Sequence, residues 1–237
     1  MEKIKRVLLK LSGEALMGEQ DFGIDHDQLQ RFSDEIRSLV NTGYELSIVI
    51  GGGNIFRGLS GTEKGYDRVK GDQMGMLATV INGMALANTL QNENISCRLF
   101  TAIKIEPFTE YYTKEKARDS LENGCVNIFT AGTGNPYFTT DSAAALRALE
   151  TDSDVLLKGT RVDGVYSDDP EKNENARKYD KIDFEEVLNK KLNVMDMTAF
   201  AMCRDNKLPV IVFNINKKGN LLKVLSDVSM GTLVYSK

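Results

Sequence analysis

The sequence predicts an α/β fold in which one mainly parallel sheet is covered on both faces by helices. Two observations carry this. Short continuous apolar runs, such as residues 7–11, 46–50 and 208–213, have the length of strands but no polar alternation, as strands buried on both faces do. Between them lie longer segments whose apolar residues recur every three or four positions, so strands and helices alternate along the chain.

Taken in order, residues 7–11 are a strand ended by Ser12-Gly13. Leu29, Phe32, Ile36, Leu39 and Val40 then mark a helix that Thr42-Gly43 stops. Residues 46–50 are the next strand, closed by Gly51-Gly52-Gly53-Asn54. Asp72 opens a long helical pattern through Met76, Leu77, Val80, Ile81, Met84 and Leu90. A strand at 97–100, a charged helix at 113–123, a strand at 125–131 and a helix at 141–150 follow, the last announced by Thr140-Asp141. A strand at 154–158, helices near 183–190 and 196–206, a strand at 208–213, a helix at 219–226 and a strand at 232–235 complete the pattern. The stretch 167–181 is polar without an apolar period and reads as a surface excursion. A single domain over 1–237 is expected, with lobes of about 1–150 and 151–237 sharing one sheet.

Composition narrows the function. A net charge of -4 leaves no basic footprint for a nucleic-acid polymer, yet a few local cations suffice for a nucleotide. Cys97, Cys125 and Cys203 are odd in number and far apart, so they read as small buried apolar residues of a reducing compartment. The start, Met1-Glu2-Lys3-Ile4-Lys5-Arg6, lacks a signal-peptide core, and no run has the length of a membrane span. A cytoplasmic protein without a membrane partner is expected. Gly18 and Gly23 have P-loop spacing, but Ile24-Asp25 follows where Lys and Ser/Thr are required. The dinucleotide fingerprint fails too, with Phe56 and Tyr137 at its last glycine position. His26 is the only histidine and sits among charged residues, which disfavours a His-based triad or a multi-His metal centre.

What is left is a set of Gly-rich strand ends, each with a cation nearby. Lys10-Leu11-Ser12-Gly13 is the first and Gly51-Gly52-Gly53-Asn54 with Arg57-Gly58 the second. The third is Gly132-Thr133-Gly134-Asn135-Pro136-Tyr137-Phe138-Thr139-Thr140-Asp141, and the fourth Lys158-Gly159-Thr160. Each alone has an ordinary alternative: a solvated lysine, a tight turn, a strand-to-helix loop. Four of them converging on the carboxyl ends of parallel strands, where open sheets bind ligands, point to phosphate.

The segment 10–14 (Lys-Leu-Ser-Gly-Glu), the 51–54 glycines with Arg57-Gly58, the 132–141 loop, 162–166 (Val-Asp-Gly-Val-Tyr), 194–196 and 208–210 together make the chain resemble the bacterial uridylate kinases of the amino acid kinase superfamily. The resemblance runs in order along essentially the whole chain. It implies a three-layer αβα sandwich and transfer of the ATP γ-phosphate to UMP, giving UDP and ADP, with Mg²⁺ brought by ATP and no protein-held metal. By motif, it implies that Lys10, Leu11, Ser12, Gly13, Gly53 and Arg57 lie along the ATP phosphates, with Thr160, Tyr166 and Asp169 on the adenine nucleoside. Gly52, Asp72 and the run from Thr133 to Thr140 would hold UMP in the first lobe. Lys10, Arg57, Asp141 and Lys158 are the candidate catalytic groups. The family's typical hexamer, GTP activation and UTP inhibition are implied as well. Gly18-Glu19-Gln20-Asp21-Phe22-Gly23 resembles its effector loop, although helix 82–92 lacks the basic residues of that site in some members.

The residue chemistry fits this reaction independently. A phosphate monoester, with a second pKa near 6, is already largely dianionic at neutral pH and needs no general base. The requirement is cations and amides that offset repulsion between two anions, and Asp141 suits an organiser of lysine or Mg²⁺ better than a base. Two rivals stand beside this reading: a sister kinase forming an acyl phosphate on aspartate, acetylglutamate or carbamate, and a non-catalytic nucleotide sensor.

Overall fold

At the middle of the sheet lies β1 (Arg6–Leu11), paired in parallel with β2 (Glu45–Ile50) on one side and β6 (Val155–Thr160) on the other. The computed structural model describes residues 4–56, 65 and 67–237. Beyond β2 come β5 (Val126–Thr130), β3 (Cys97–Thr101) and the two-residue β4 (Glu110–Tyr111). Beyond β6 come β8 (Val210–Asn214), β9 (Gly231–Tyr235) and β7 (Lys181–Asp183). Among the described residues all pairings between these strands are parallel except β8 with β9.

Alternation along the buried strands separates two cores. Val7, Leu9, Leu11, Ile48, Leu157 and Phe213 face one core, closed by α1 (His26–Asn41), α2 (Arg68–Asn92) and α7 (Asn220–Ser226). Leu8, Val49, Leu156 and Val212 face the other, closed by α3 (Lys114–Glu122), α4 (Thr140–Glu150), α5 (Phe184–Asn189) and α6 (Met197–Asp205). This is the three-layer αβα sandwich, and it sends every other residue of β1 and β6 to the α4 side.

The differences from the sequence reading have local causes. α2 starts one turn before Asp72, because Asp67 accepts the Lys70 amide at 3.1 Å and caps it. The cap of α4 is Thr139, which accepts from the amides of Asp141 and Ser142 at 3.1 and 3.2 Å. The 167–181 stretch gives up Lys181 to β7, and it begins beside an antiparallel bridge between Tyr166 and Lys178. Cys203 is buried as expected, but Cys97 and Cys125 are only half-buried. Among the described residues no helix is long and apolar enough to cross a membrane.

Candidate active site

Lys10 and Lys158 are register partners near the carboxyl ends of β1 and β6, and both fall on the side of the sheet covered by α4. Asp141, in the first turn of α4, meets both: Lys10 Nζ lies 2.8 Å from Oδ1, and Lys158 Nζ donates to Oδ2 at 2.5 Å. The Lys10 contact is an ion pair whose direction falls outside hydrogen-bond geometry. All three side chains are largely buried, at 13–16% exposed. Burial pushes the Asp141 carboxyl up, but Lys10 and Lys158 outweigh it and hold the group below the usual carboxylate range. Burial, with repulsion from Lys10, lowers Lys158 against the opposing pull of Asp141. Two ammonium groups on one carboxylate leave a surplus positive charge at the strand ends, where an anion can use it.

Beside the cluster, the exits of β1 and β2 touch backbone to backbone. A Cβ on Gly13 would stand 2.5 Å from Asn54 Oδ1 and 2.8 Å from both Gly51 O and Gly53 N, so no side chain fits there. Asn54 and Asn82 exchange amide hydrogen bonds at 2.7 and 3.0 Å, and Asn82 also donates to Gly51 O at 2.7 Å. The glycine loop is thereby fixed to α2. Ser12 Oγ accepts the Glu14 amide at 3.3 Å. Leu11 is fully buried in the core, so only its backbone reaches this region, and its carbonyl already accepts from Gly51 N. Arg57 and Gly58 lie outside the described residues.

Two cavities flank the cluster. The smaller, about 130 Å³, is lined by Gly52, Asp72, Gly75, Thr133, Asn135, Phe138, Thr139 and Thr140, among others. Asp72 Oδ2 accepts from Tyr137 N and from Arg68 Nε, both at 2.8 Å, and so joins α2 to the 132–141 loop. That loop is bent by left-handed backbone at Ala131 (φ 60°) and Tyr137 (φ 73°) as well as at Gly132 and Gly134. Non-glycine residues held there cost about 1–3 kcal/mol each and cluster at binding sites. Gly134, Pro136 and Tyr137 shape the loop without lining the cavity.

The larger cavity, about 570 Å³, is lined by Lys10, Ser12, Lys158 and Thr160 together with Gly18, Gln28, Arg31 and others. Tyr166 and Asp169 do not line it. The Tyr166 hydroxyl donates to Asp163 at 2.5 Å, which together with burial pushes it up to about 12, while Asp169 accepts the Glu171 amide and pairs with Lys172. In the 18–23 loop, Glu19, Gln20, Asp21 and Phe22 are exposed, while Gly23 N donates to Asn54 O at 2.8 Å and Asn54 Nδ2 donates to Gly23 O at 2.7 Å.

Two contributors escaped the sequence reading. Asp196, the cap of α6, accepts from Thr139 Oγ1 at 2.5 Å and from Ser142 Oγ at 3.0 Å, gripping the start of α4 that carries Asp141. It stood in the 194–196 segment of the family resemblance and at the start of the 196–206 helix, but neither gave it a role. Arg31 had no local signal. Among the described residues no group of three His, Cys, Asp or Glu could hold a metal, and both oxygens of Asp141 face ammonium groups. Such a donor set fits Mg²⁺ that arrives on nucleotide phosphates and keeps water ligands.

The amino acid kinase family model matches residues 5–214. A uridylate kinase of Phocaeicola vulgatus is 54% identical over 236 residues, covering 100% of each chain. That of Bacteroides thetaiotaomicron is 53% identical with the same coverage. The crystal structure of UMP kinase from Bacillus anthracis superposes with a TM-score of 0.95 at 39% identity, over 99% of this chain and 97% of the other. UMP kinase from Ureaplasma parvum gives 0.94 at 41% identity over 100% of both chains. By its sheet, its strand-end site and this full-length similarity, the chain belongs to the amino acid kinase family and, within it, to the uridylate kinases.

Proposed function

We propose that this chain transfers the γ-phosphate of ATP to UMP, giving UDP and ADP. The observation that carries the reading is the Lys10–Asp141–Lys158 cluster at the carboxyl edge of the sheet, whose lysines line the larger cavity while Thr139 and Thr140, just before Asp141, line the smaller. ATP occupies the larger, with its phosphates along Lys10, Ser12, Gly13 and Gly53. UMP occupies the smaller, against Gly52, Asp72 and the 133–140 loop. The lobe of about 1–150 thus takes UMP, and that of about 151–237 takes the ATP nucleoside at Thr160, with Tyr166 and Asp169, which lie outside the cavity lining, reached only by a nucleoside extending beyond it.

The UMP phosphate attacks as a dianion, so no proton has to be removed. Asp141, held ionised by two lysines, is too weak a base to remove one; it aims Lys10 and Lys158 at the transferring group. Their surplus charge, with Arg57 and the loop amides, offsets repulsion between the phosphates. Mg²⁺ arriving with ATP would add further neutralisation there, and Asp141 is the carboxylate that would stand near it.

Asp72→Ala is expected to raise the KM for UMP about 10- to 100-fold, the worth of a charged hydrogen bond, and to leave the KM for ATP unchanged. Steady-state kinetics check this, and a collapsed ATP KM with an intact UMP KM would refute the assignment.

Assembly into a homohexamer is part of the same reading. α2 carries no charged residue from 73 to 92 and exposes Met74, Leu77, Ile81 and Met84 along one face, with Leu77 and Ile81 each 50% exposed. A solvated helix face carries charge; this one suits an identical copy, since like patches meet without repulsion. Ile81→Glu should lower the mass seen by sedimentation, and an unchanged mass would point the interface elsewhere. Activation by GTP would act through the 18–23 loop, which reaches the glycine loop at Asn54, and inhibition by UTP belongs to the same reading. Free thiols at Cys97, Cys125 and Cys203 suit a reducing, cytoplasmic location.

The test is ADP formation from Mg·ATP with UMP, CMP, dTMP, aspartate and acetylglutamate, with and without GTP. Turnover confined to UMP supports the reading. Turnover with a carboxylate moves the chain to a sister activity, and ATP binding without turnover makes it a sensor.

A further inference from the structure

Arg31 stands on α1 at the wall of the larger cavity and is positioned with unusual economy. Its Nε donates to Gln28 Oε1 at 3.0 Å and its Nη1 to Ile215 O at 2.8 Å, while its guanidinium lies 4.3 Å from the centre of the Phe32 ring. Those contacts fix the plane of the fork and leave Nη2 without a hydrogen bond among the described residues. Among the described residues Arg31 makes no ion pair, whereas Lys10 and Lys158 share Asp141 and Arg161 pairs with Glu171. Glu35, one turn along α1, spends a carboxylate oxygen on the Gly219 amide. Burial lowers the Arg31 pKa, with Glu35 opposing, so the guanidinium is partly stripped of water yet stays charged. Glu14 is the carboxylate on the cavity wall, and it is exposed.

We propose that Arg31 is a phosphate-binding residue of the nucleotide cavity, its open edge meeting the phosphates of the nucleotide that Lys10 and Ser12 also face. This rests on the reading of that cavity as the ATP site. A purely architectural role, in which Arg31 only straps α1 to the end of β8, uses the same two hydrogen bonds but predicts no dependence on ligand charge.

Calorimetric titration of ATP, ADP and adenosine into wild type and Arg31→Gln separates the two. The expected result is a loss of about 10- to 100-fold for ATP and ADP, the worth of a charge-assisted hydrogen bond, with adenosine affinity and the KM for UMP unchanged. Equal losses for all three ligands, or no loss for any, would overturn the proposal. Should Arg31→Gln fail to fold, Arg31→Lys keeps the charge, and a smaller loss confined to the phosphorylated ligands supports the proposal while a uniform loss refutes it. Failure of wild type to bind ATP at all would instead remove the functional reading on which the proposal stands.

Discussion

Lys10→Ala should lower kcat about 10²- to 10³-fold, the effect of removing one preorganised group that stabilises developing charge, while the KM for UMP changes little. The ammonium lies where β1 delivers it, at a carboxylate it shares with Lys158. In the variant Lys158 still answers Asp141, so the cluster stays paired and the fold is largely preserved. What disappears is the surplus positive charge, at the point where two anions must approach each other. That loss falls on the transition state more than on UMP binding, since the residues lining the smaller cavity are untouched. Steady-state kinetics with a thermal melt as control decide it. An intact kcat with a raised UMP KM would mean that Lys10 serves the acceptor and not the transfer.

How far the site could be read in the sequence depended on how local each signal was. The central strands declared themselves because burial on both faces leaves continuous apolar runs, as at Leu8 and Leu9. β4 and β7 could not, because two or three residues become a strand only through their neighbours. Lys10, Lys158 and Asp141 were legible as strand-end and helix-start residues. Their meeting on one carboxylate was not, since it requires β1 beside β6 and α4 across both. Asp72 was read as the opening of α2 and, through the family resemblance, as a UMP contact; the helix begins a turn earlier, because residues 67–71 carry no apolar period. Arg31 sits on the polar face of an amphipathic helix and looks like any solvated arginine until the fold sets it against a cavity. Tyr166 and Asp169 came with the family resemblance, and neither lines the cavity that Thr160 helps to form.

Asp141→Asn tests the cluster as a bonded unit through stability. The substitution keeps shape and removes the charge, leaving two ammonium groups, 13% and 14% exposed, facing each other. Breaking a buried pair by deleting one partner costs 3–5 kcal/mol; with residual exposure the expected loss at pH 7 is about 3 kcal/mol. The pH dependence fixes the cause. The folded pKa of Asp141 is depressed, so its contribution is complete above the unfolded carboxylate value near 4 and is lost as pH falls through the folded value. Wild type and variant should therefore converge in acid. At the alkaline end Lys158 acts in the opposite sense. Its folded pKa is lowered, so the folded chain sheds that proton before the unfolded chain does, and stability rises with pH between the two values. Without Asp141 to hold it, Lys158 shifts further down, and the variant recovers part of its deficit as pH approaches 10. Urea unfolding at pH 3, 7 and 10 should thus show the gap widest in the middle. A gap that is constant across the three would make the loss one of packing, and no gap at pH 7 would show that Asp141 does not hold the two lysines together.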